Sequence, residues 1–366
     1  MITIRRLIYR EVVAAVAFVT IGFLALFFFF DFVAELGEVG KGASPYRLTQ
    51  ALVYVALLMP SHLYELLPIA VLIGSIFVMA RLAQSSEYTI LRTSGLGPGR
   101  ALRALLGLGM VFTLLTFATG DYVAPLADRT AQLLKARYQG KLSVGQTGAW
   151  LKERQAQGTY TVNVGALAAD GSLQSVRVFQ ADDQGMLVGT LRASRAEFTE
   201  DGWLLQDVDS MRLRAAGDGP SAAPSTHLDR LLWPTGITAE MVSVALLQPD
   251  RMRTLDLFEY MRHLKANGQT SQRYEIEFWR KVFYPLSCLV MVVLALPFAY
   301  LHFRSGSITG FVFAGVLIGI SFFLLNNVFG YVGNLQNWQP WLAAASPGLL
   351  YTLISLGAFG WLVLRR

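Results

Sequence analysis

The side chains best equipped to do chemistry in this sequence are cations set beside aromatic rings. Arg273, Arg280 and Lys281 share one short stretch with Trp279 and Tyr284. Guanidinium and ammonium groups make the strongest hydrogen bonds to anions, so the stretch can hold a negatively charged ligand. It can equally be an aromatic belt whose cations snorkel toward water, partly neutralised by Glu277–Lys281 at i,i+4 spacing. Both readings stand on the residues. Bond-making chemistry finds less support. Ser94-Gly95-Leu96-Gly97-Pro98-Gly99 has the glycines of a phosphate loop but neither its lysine nor a preceding strand, and no G-x-x-x-x-G-K-[ST] occurs. G-x-S-x-G and H-E-x-x-H are absent too. His62, His227, His263 and His302 are scattered, and the single cysteine, Cys288, lies in an apolar run. Neither a metal centre nor a disulfide framework is expected.

The elements that must position those cations are membrane helices. Of the 366 residues, 54% are hydrophobic and 15% charged, more apolar surface than one water-facing globule can bury. The net charge of +6 sits on residues flanking apolar runs, a pattern of membrane topology and not of nucleic-acid binding. Val12–Phe30 is long enough to cross a bilayer and too long for a signal-peptide core, so it reads as an uncleaved first span. The second run, near Ala51–Ala80, contains Pro60 and Pro68 and is expected to bend. Ala104–Thr119 makes a third span, Phe283–Leu301 a fourth, Ile308–Val332 a fifth and Trp341–Leu364 a sixth. Arg and Lys gather at the N-terminus, in Arg81–Arg103, in His302-Phe303-Arg304 and at the C-terminal Arg pair. The positive-inside rule then places both termini in the cytoplasm and the long segment between spans three and four outside.

That segment has a strand pattern. Tyr160–Val164, Ser175–Gln180, Met186–Ala193, Ala196–Thr199, Trp203–Val208 and Ser210–Arg214 are candidate strands, parted by turn signals at Asp170-Gly171, Asp182-Asp183-Gln184-Gly185 and Asp201-Gly202. Short strands at regular spacing argue for a sandwich or jelly roll. Thr254–Ala266 has helical spacing, with Leu255, Phe258, Met261 and Leu264 on one face, Thr254 as cap and Gly268 as stop. The fold class is a polytopic helical membrane protein of six spans with an inserted all-β domain. Residues 1–120 hold spans one to three, residues 121–254 the β domain, and residues 255–366 a linker helix and spans four to six.

Two more stretches carry open readings. In Ala83–Arg92, Ser85 or Ser86 can cap a short helix, Glu87 falls in its first turn, and Tyr88 and Leu91 share a face. This is either a motor contact or a solvated cytoplasmic loop. Gly315-x-x-x-Gly319 permits close helix approach, although glycine is common in membrane helices generally. Asn326 and Asn327 lie deep in a span and require partners there, interhelical hydrogen bonds being the simpler account.

Leu82-Ala83-x-x-Ser86-Glu87 followed by Arg92-x-Ser94-Gly95 resembles the signature of the lipopolysaccharide-export permease family LptF/LptG. Asp121-Tyr122-Val123-Ala124-Pro125 leaving the third span is similar to that family too, as is Gly268-Gln269…Arg273-Tyr274…Trp279-x-Lys281…Pro285-Leu286 entering the fourth. Gly148-Ala149-Trp150 and Val244…Pro249-Asp250 look more like its LptG branch. The resemblance implies a permease half with no active site of its own. Its partners would be an LptF-like paralogue, an LptB-like ATPase dimer that binds the ATP and magnesium, an LptC-like single-span protein and an LptA-like bridge. The β domain would be a periplasmic jelly roll in a Gram-negative inner-membrane protein. Ser86, Glu87, Tyr88, Leu91, Arg92 and Gly95 would form the ATPase-coupling segment. Gly22, Gly315 and Gly319 would pack at lateral gates made by the first and fifth spans. The family's first helix ends in basic residues for lipid A phosphates, and this sequence departs there: Asp31 stands at the matching position, with Glu35 and Glu38 after it and Lys41 displaced. Arg273, Trp279, Arg280, Lys281 and Lys41 are then the candidates to meet lipopolysaccharide. A lipoprotein-extracting permease and a non-transporting scaffold or sensor are the alternatives.

Overall fold

A computed structural model describes residues 2–40, 46–85, 90, 93, 97–139, 148–155, 158–168, 170–182, 184–216, 219–222, 225–238, 241–242, 249–300 and 308–364. The chain divides into two units: Met1–Val33, Val55–Ala127 and Gln272–Arg366 in one, Ala34–Tyr54 and Asp128–Ser271 in the other.

The first unit is built from helices. Among the described residues, six helical runs are long and apolar enough to cross a membrane, with residues 34–36, 48–54 and 128–135 of them falling in the second unit. The first is α1 (Ile2–Leu36) and the second α2 (Leu48–Gln84), which keeps Pro60 and Pro68 inside one continuous helix. The third begins as α3 (Pro98–Ala118), slips through a π-turn at Thr119–Val123, and continues as α4 (Ala124–Gln139). It therefore outruns the expected Thr119 end by several turns, because the polar residues beyond Asp121 still favour helix. The linker helix α5 (Thr254–Ala266) belongs to the second unit. The fourth span starts earlier than its apolar run, at α6 (Gln272–Phe283), and passes a 3-10 turn at Tyr284–Leu286 into α7 (Ser287–Ala295). Pro285 lacks the N–H that an uninterrupted α-helix would use there. The last two are α8 (Ile308–Leu335) and α9 (Pro340–Leu364).

Without a water-driven force between helices in lipid, close packing decides which ones meet. Gly74 of α2 lies against the backbone of α1, where an added Cβ would fall 2.7 Å from Val16 N and 2.9 Å from Val16 Cα. Polar bonds fasten the same pair on both sides of that crossing: Arg81 Nη2 donates to Glu11 Oε2 at 2.8 Å, and His62 Nε2 lies 2.7 Å from Asp31 Oδ2. Asp31 is thus held by His62, whose ring lies tilted against Phe27 with centroids 4.7 Å apart. One apolar cluster joins Val12 and Val16 of α1, Leu72 and Ile76 of α2, Leu105 of α3, Met291 of α7 and Phe322 of α8.

The second unit is organised by one antiparallel meander of β1 (Ala149–Gln155), β2 (Gly158–Leu167), β3 (Leu173–Ala181), β4 (Leu187–Thr199), β5 (Gly202–Ala216), β6 (Gly219–Ala222) and β7 (Thr226–Trp233). Strands β1 to β6 neighbour one another in chain order, and β7 also pairs with β5. The expected strands are present, with two pairs fused: Met186–Ala193 with Ala196–Thr199 in β4, and Trp203–Val208 with Ser210–Arg214 in β5. Between those halves runs a crease. Pairing skips Gly165, Ser175, Ser194 and Asp207, which line up across β2 to β5. Ser175 and Asp207 sit at φ of 54° and 56°, strained for residues with a Cβ. Across the crease the buried positions step by three instead of two, from Leu173 to Val176, Ala193 to Ala196 and Leu205 to Val208. The strands are irregular there, and the buried side chains on both sides of the crease form the core of this unit. Trp203 and Trp233 pack edge to face in that core, Tyr160 lies tilted against Trp233, and Trp203 Nε1 donates to Ile237 O at 2.8 Å.

Helix α5 has the expected bounds but a different buried face. Leu257, Tyr260, Met261 and Leu264 are buried, whereas Leu255 and Phe258 are exposed. Both sets have helical spacing, and tertiary packing chose between them. Thr254 is not the cap: the preceding Arg253 takes that position without a side-chain hydrogen bond. Gly268 does end the helix, at φ 64°, with Gln269 N donating to Leu264 O at 2.9 Å.

Candidate functional site

Within the membrane unit, the cations singled out by sequence lie on α6. Gln272, Ile276 and Arg280 follow at i, i+4 and i+8 and therefore share a face. That face meets α8. Gln272 Nε2 donates to Gly333 O at 3.3 Å and to Trp338 O at 2.6 Å. Arg280 Nη1 donates to Glu277 Oε1 at 2.9 Å, while Nη2 reaches Asn326 O at 2.6 Å and Asn327 Oδ1 at 3.4 Å. Gly330 makes room for the guanidinium, since a Cβ there would lie 3.0 Å from Arg280 Nη2. The asparagines are thus partnered: Asn327 across the helices, and Asn326 by its backbone oxygen to Arg280 and its amide to Phe322 O.

Lys281 points elsewhere. It is 6% exposed, and its Nζ donates to Gly120 O at 3.1 Å. In the π-turn the register slips so that Ala124 N–H bonds Thr119 O, and the neighbouring Gly120 carbonyl accepts from outside the helix. Gly120 also lets Tyr64 close in, because a Cβ would sit 2.3 Å from its ring carbons. Tyr64 packs on Tyr284 with centroids 5.1 Å apart, and Lys281 Nζ lies 6.0 Å from the Tyr64 centroid. The expectation of a snorkelling lysine is corrected here, since this ammonium turns inward to a backbone acceptor. Glu277 also pairs with Arg280 at 2.9 Å, at i,i+3 spacing. Arg273 remains exposed, and Trp279 stacks on Phe283 at 5.6 Å.

Lys281→Met keeps the aliphatic stem and removes the donor. It is expected to lower the stability of the detergent-solubilised protein by about 1–3 kcal/mol, as a buried acceptor loses a charged partner. Thermal unfolding followed by tryptophan fluorescence measures this, and an unchanged midpoint would show that the Gly120 bond contributes nothing.

The three glycines expected at a gate divide. A Cβ on Gly315 would meet Ile76 Cδ1 at 2.9 Å, and one on Gly319 would meet Ile69 Cγ2 at 2.7 Å, so both pack within the chain against α2. Gly22 has open space around its Cβ position. Ser86, Glu87, Tyr88, Leu91, Arg92, Gly95 and Lys41 lie outside the described residues. Gly74, Gly120, Gly330 and Gln272 escaped the sequence reading. Only Gln272 carried a signal, a polar side chain at the foot of an apolar span.

A family model described as lipopolysaccharide export system permease LptF/LptG matches residues 6–365. The chain belongs to the LptF/LptG family. The match takes in the six membrane helices and the sheet between them, so the whole architecture is that of these permeases. Lipopolysaccharide export system permease protein LptG of Escherichia coli (strain K12) is 29% identical over 339 residues, covering 92% of this chain and 90% of that protein. The protein of the same name from Haemophilus influenzae is 25% identical over 368 residues, covering 100% of this chain and 99% of its own.

Proposed function

We propose that the chain is one half of an ATP-driven permease that lifts lipopolysaccharide out of the inner membrane toward a periplasmic bridge. The match to the lipopolysaccharide-export permease family along residues 6–365 carries this reading. An LptF-like paralogue would supply the other half, and an LptB-like ATPase dimer the ATP and magnesium chemistry. Ser86, Glu87, Tyr88, Leu91, Arg92 and Gly95 would receive that motor's stroke. Both termini lie in the cytoplasm and the sheet unit in the periplasm, as the distribution of Arg and Lys supports. There the sheet hands cargo to LptC-like and LptA-like proteins. The cavity shared with the paralogue is largely apolar, since the acyl chains must leave lipid at little net cost.

Exposed Arg273 and, on another face of α6, Trp279 are suited to the phosphate-bearing headgroup, with Lys41 as a further cation. Arg280 and Lys281 are less suited, as their donors already serve backbone carbonyls.

Mass spectrometry of everything that co-purifies with the tagged chain from a mild detergent tests the proposal. An ATPase, a second permease of the same family and lipopolysaccharide are expected together. Recovery of a lipoprotein in place of lipopolysaccharide, or of the chain without any ATPase, would favour the alternative permease or a sensor.

A further inference from the structure

The two adjacent cations of α6 end on the backbones of two different helices. Neighbouring helical residues point about 100° apart, and here Arg280 reaches Asn326 O of α8 while Lys281 reaches Gly120 O of the π-turn after α3. Backbone acceptors report where a helix is, whatever rotamers its side chains adopt. At the α8 end the fit is shaped as well as bonded. Gly315, Gly319, Asn326, Gly330 and Gly333 form a single stripe along α8, which packs on Ile76 and Ile69 of α2, on Arg280 and on Ala343 of α9. The opposite face carries Phe313, Leu317, Ile320, Leu324 and Val328, all exposed. A rotation of α8 about its axis would pull the Gly330 notch off the guanidinium, break the Asn326 bond and change which side chains that outer face presents.

We infer that Arg280 and Lys281 are positioning residues of the transport cycle: through α6 they fix the rotation of α8 relative to α3, and they do not touch the cargo. This rests on the permease reading above. Arg280 sets α8 by a fork that spans Glu277 Oε1 and Asn326 O together, which a single ammonium cannot reproduce. Lys281 anchors the other side of α6 to the Gly120 carbonyl of the π-turn.

The test uses the complex purified with its ATPase and paralogue, reconstituted in vesicles containing lipopolysaccharide. Three quantities are read: ATP hydrolysis, lipopolysaccharide bound, and lipopolysaccharide released per ATP. Arg280→Gln is expected to lower release per ATP roughly ten-fold, with hydrolysis and bound cargo little changed, because a misplaced helix costs turnover and not ground-state binding. Arg280→Lys should fail to restore it. Gly330→Ala, whose Cβ would push the guanidinium by a few tenths of an ångström, should lower release per ATP in the same direction and by less, and the double variant should be no worse than Arg280→Gln alone. Gly330→Ala also carries the test if Arg280→Gln does not assemble. Weaker lipopolysaccharide binding at an unchanged release ratio would make Arg280 a cargo contact and overturn the inference. So would an unchanged ratio in both Arg280→Gln and Gly330→Ala. A wild-type complex that releases no lipopolysaccharide would instead overturn the permease reading beneath it.

Discussion

Glu87→Arg is expected to abolish ATP-driven lipopolysaccharide release, by at least about a hundred-fold, while the membrane helices still assemble. Glu87 lies outside the described residues, so the expectation comes from its sequence setting. If the segment after Ser85 and Ser86 forms the short cytoplasmic helix that its sequence suggests, this acid falls in its first turn and could make a charge-assisted bond with a basic groove on a motor. Such a bond is worth about 1.5–3 kcal/mol, and reversing the charge adds repulsion to its loss. Glu87→Ala removes the bond alone and should cost roughly ten-fold by the same scale. Retention of the ATPase through washing, read beside release, measures both. Full retention and release in Glu87→Arg would remove this segment from the coupling role.

The second large effect concerns folding. Gly74→Val should destabilise the membrane unit by about 3 kcal/mol or more, since overpacking here cannot be relieved by turning a side chain. The clashing atoms are Val16 N and Cα at 2.7 and 2.9 Å, and only separation of α1 from α2 would clear them. That separation would also stretch the Glu11–Arg81 and Asp31–His62 bonds. Gly22→Val on the same helix pair is the control: nothing lies within 4 Å of its Cβ position, and the change should stay within about 0.5 kcal/mol. Thermal unfolding in detergent compares the two, and equal midpoints would contradict the close crossing.

The spans were legible because an apolar run of bilayer length has few other uses. The hairpins were legible through Asp-Gly and related signals, and Gly171, Gly185 and Gly202 indeed take positive φ at those turns. The crease was not. Ser175 and Asp207 adopt a conformation their residue types do not advertise, and only the lined-up skips across four strands expose it. Strand β1 was missed because Lys152, Glu153 and Arg154 interrupt its alternation, and β7 because most of its side chains stay exposed. Helix α5 offered two faces of equal spacing. The inward turn of Lys281 lay beyond sequence reading for a sharper reason. A lysine beside tryptophan and tyrosine at the end of a span looks the same whether it snorkels or not, and its acceptor depends on a π-turn with no compositional mark. The importance of Gly74, Gly120 and Gly330 likewise depends on the neighbour each one meets, and no residue type predicts that.

As part of a permease, this chain is expected to move lipopolysaccharide out of the membrane at the expense of ATP. Vesicles holding the purified complex and labelled lipopolysaccharide, mixed with a soluble LptA-like acceptor, test it directly. ATP should transfer label to the acceptor, whereas omission of ATP, or Glu87→Arg in this chain, should leave it in the vesicles. Transfer that proceeds equally without ATP, or with this chain left out of the complex, would contradict the account.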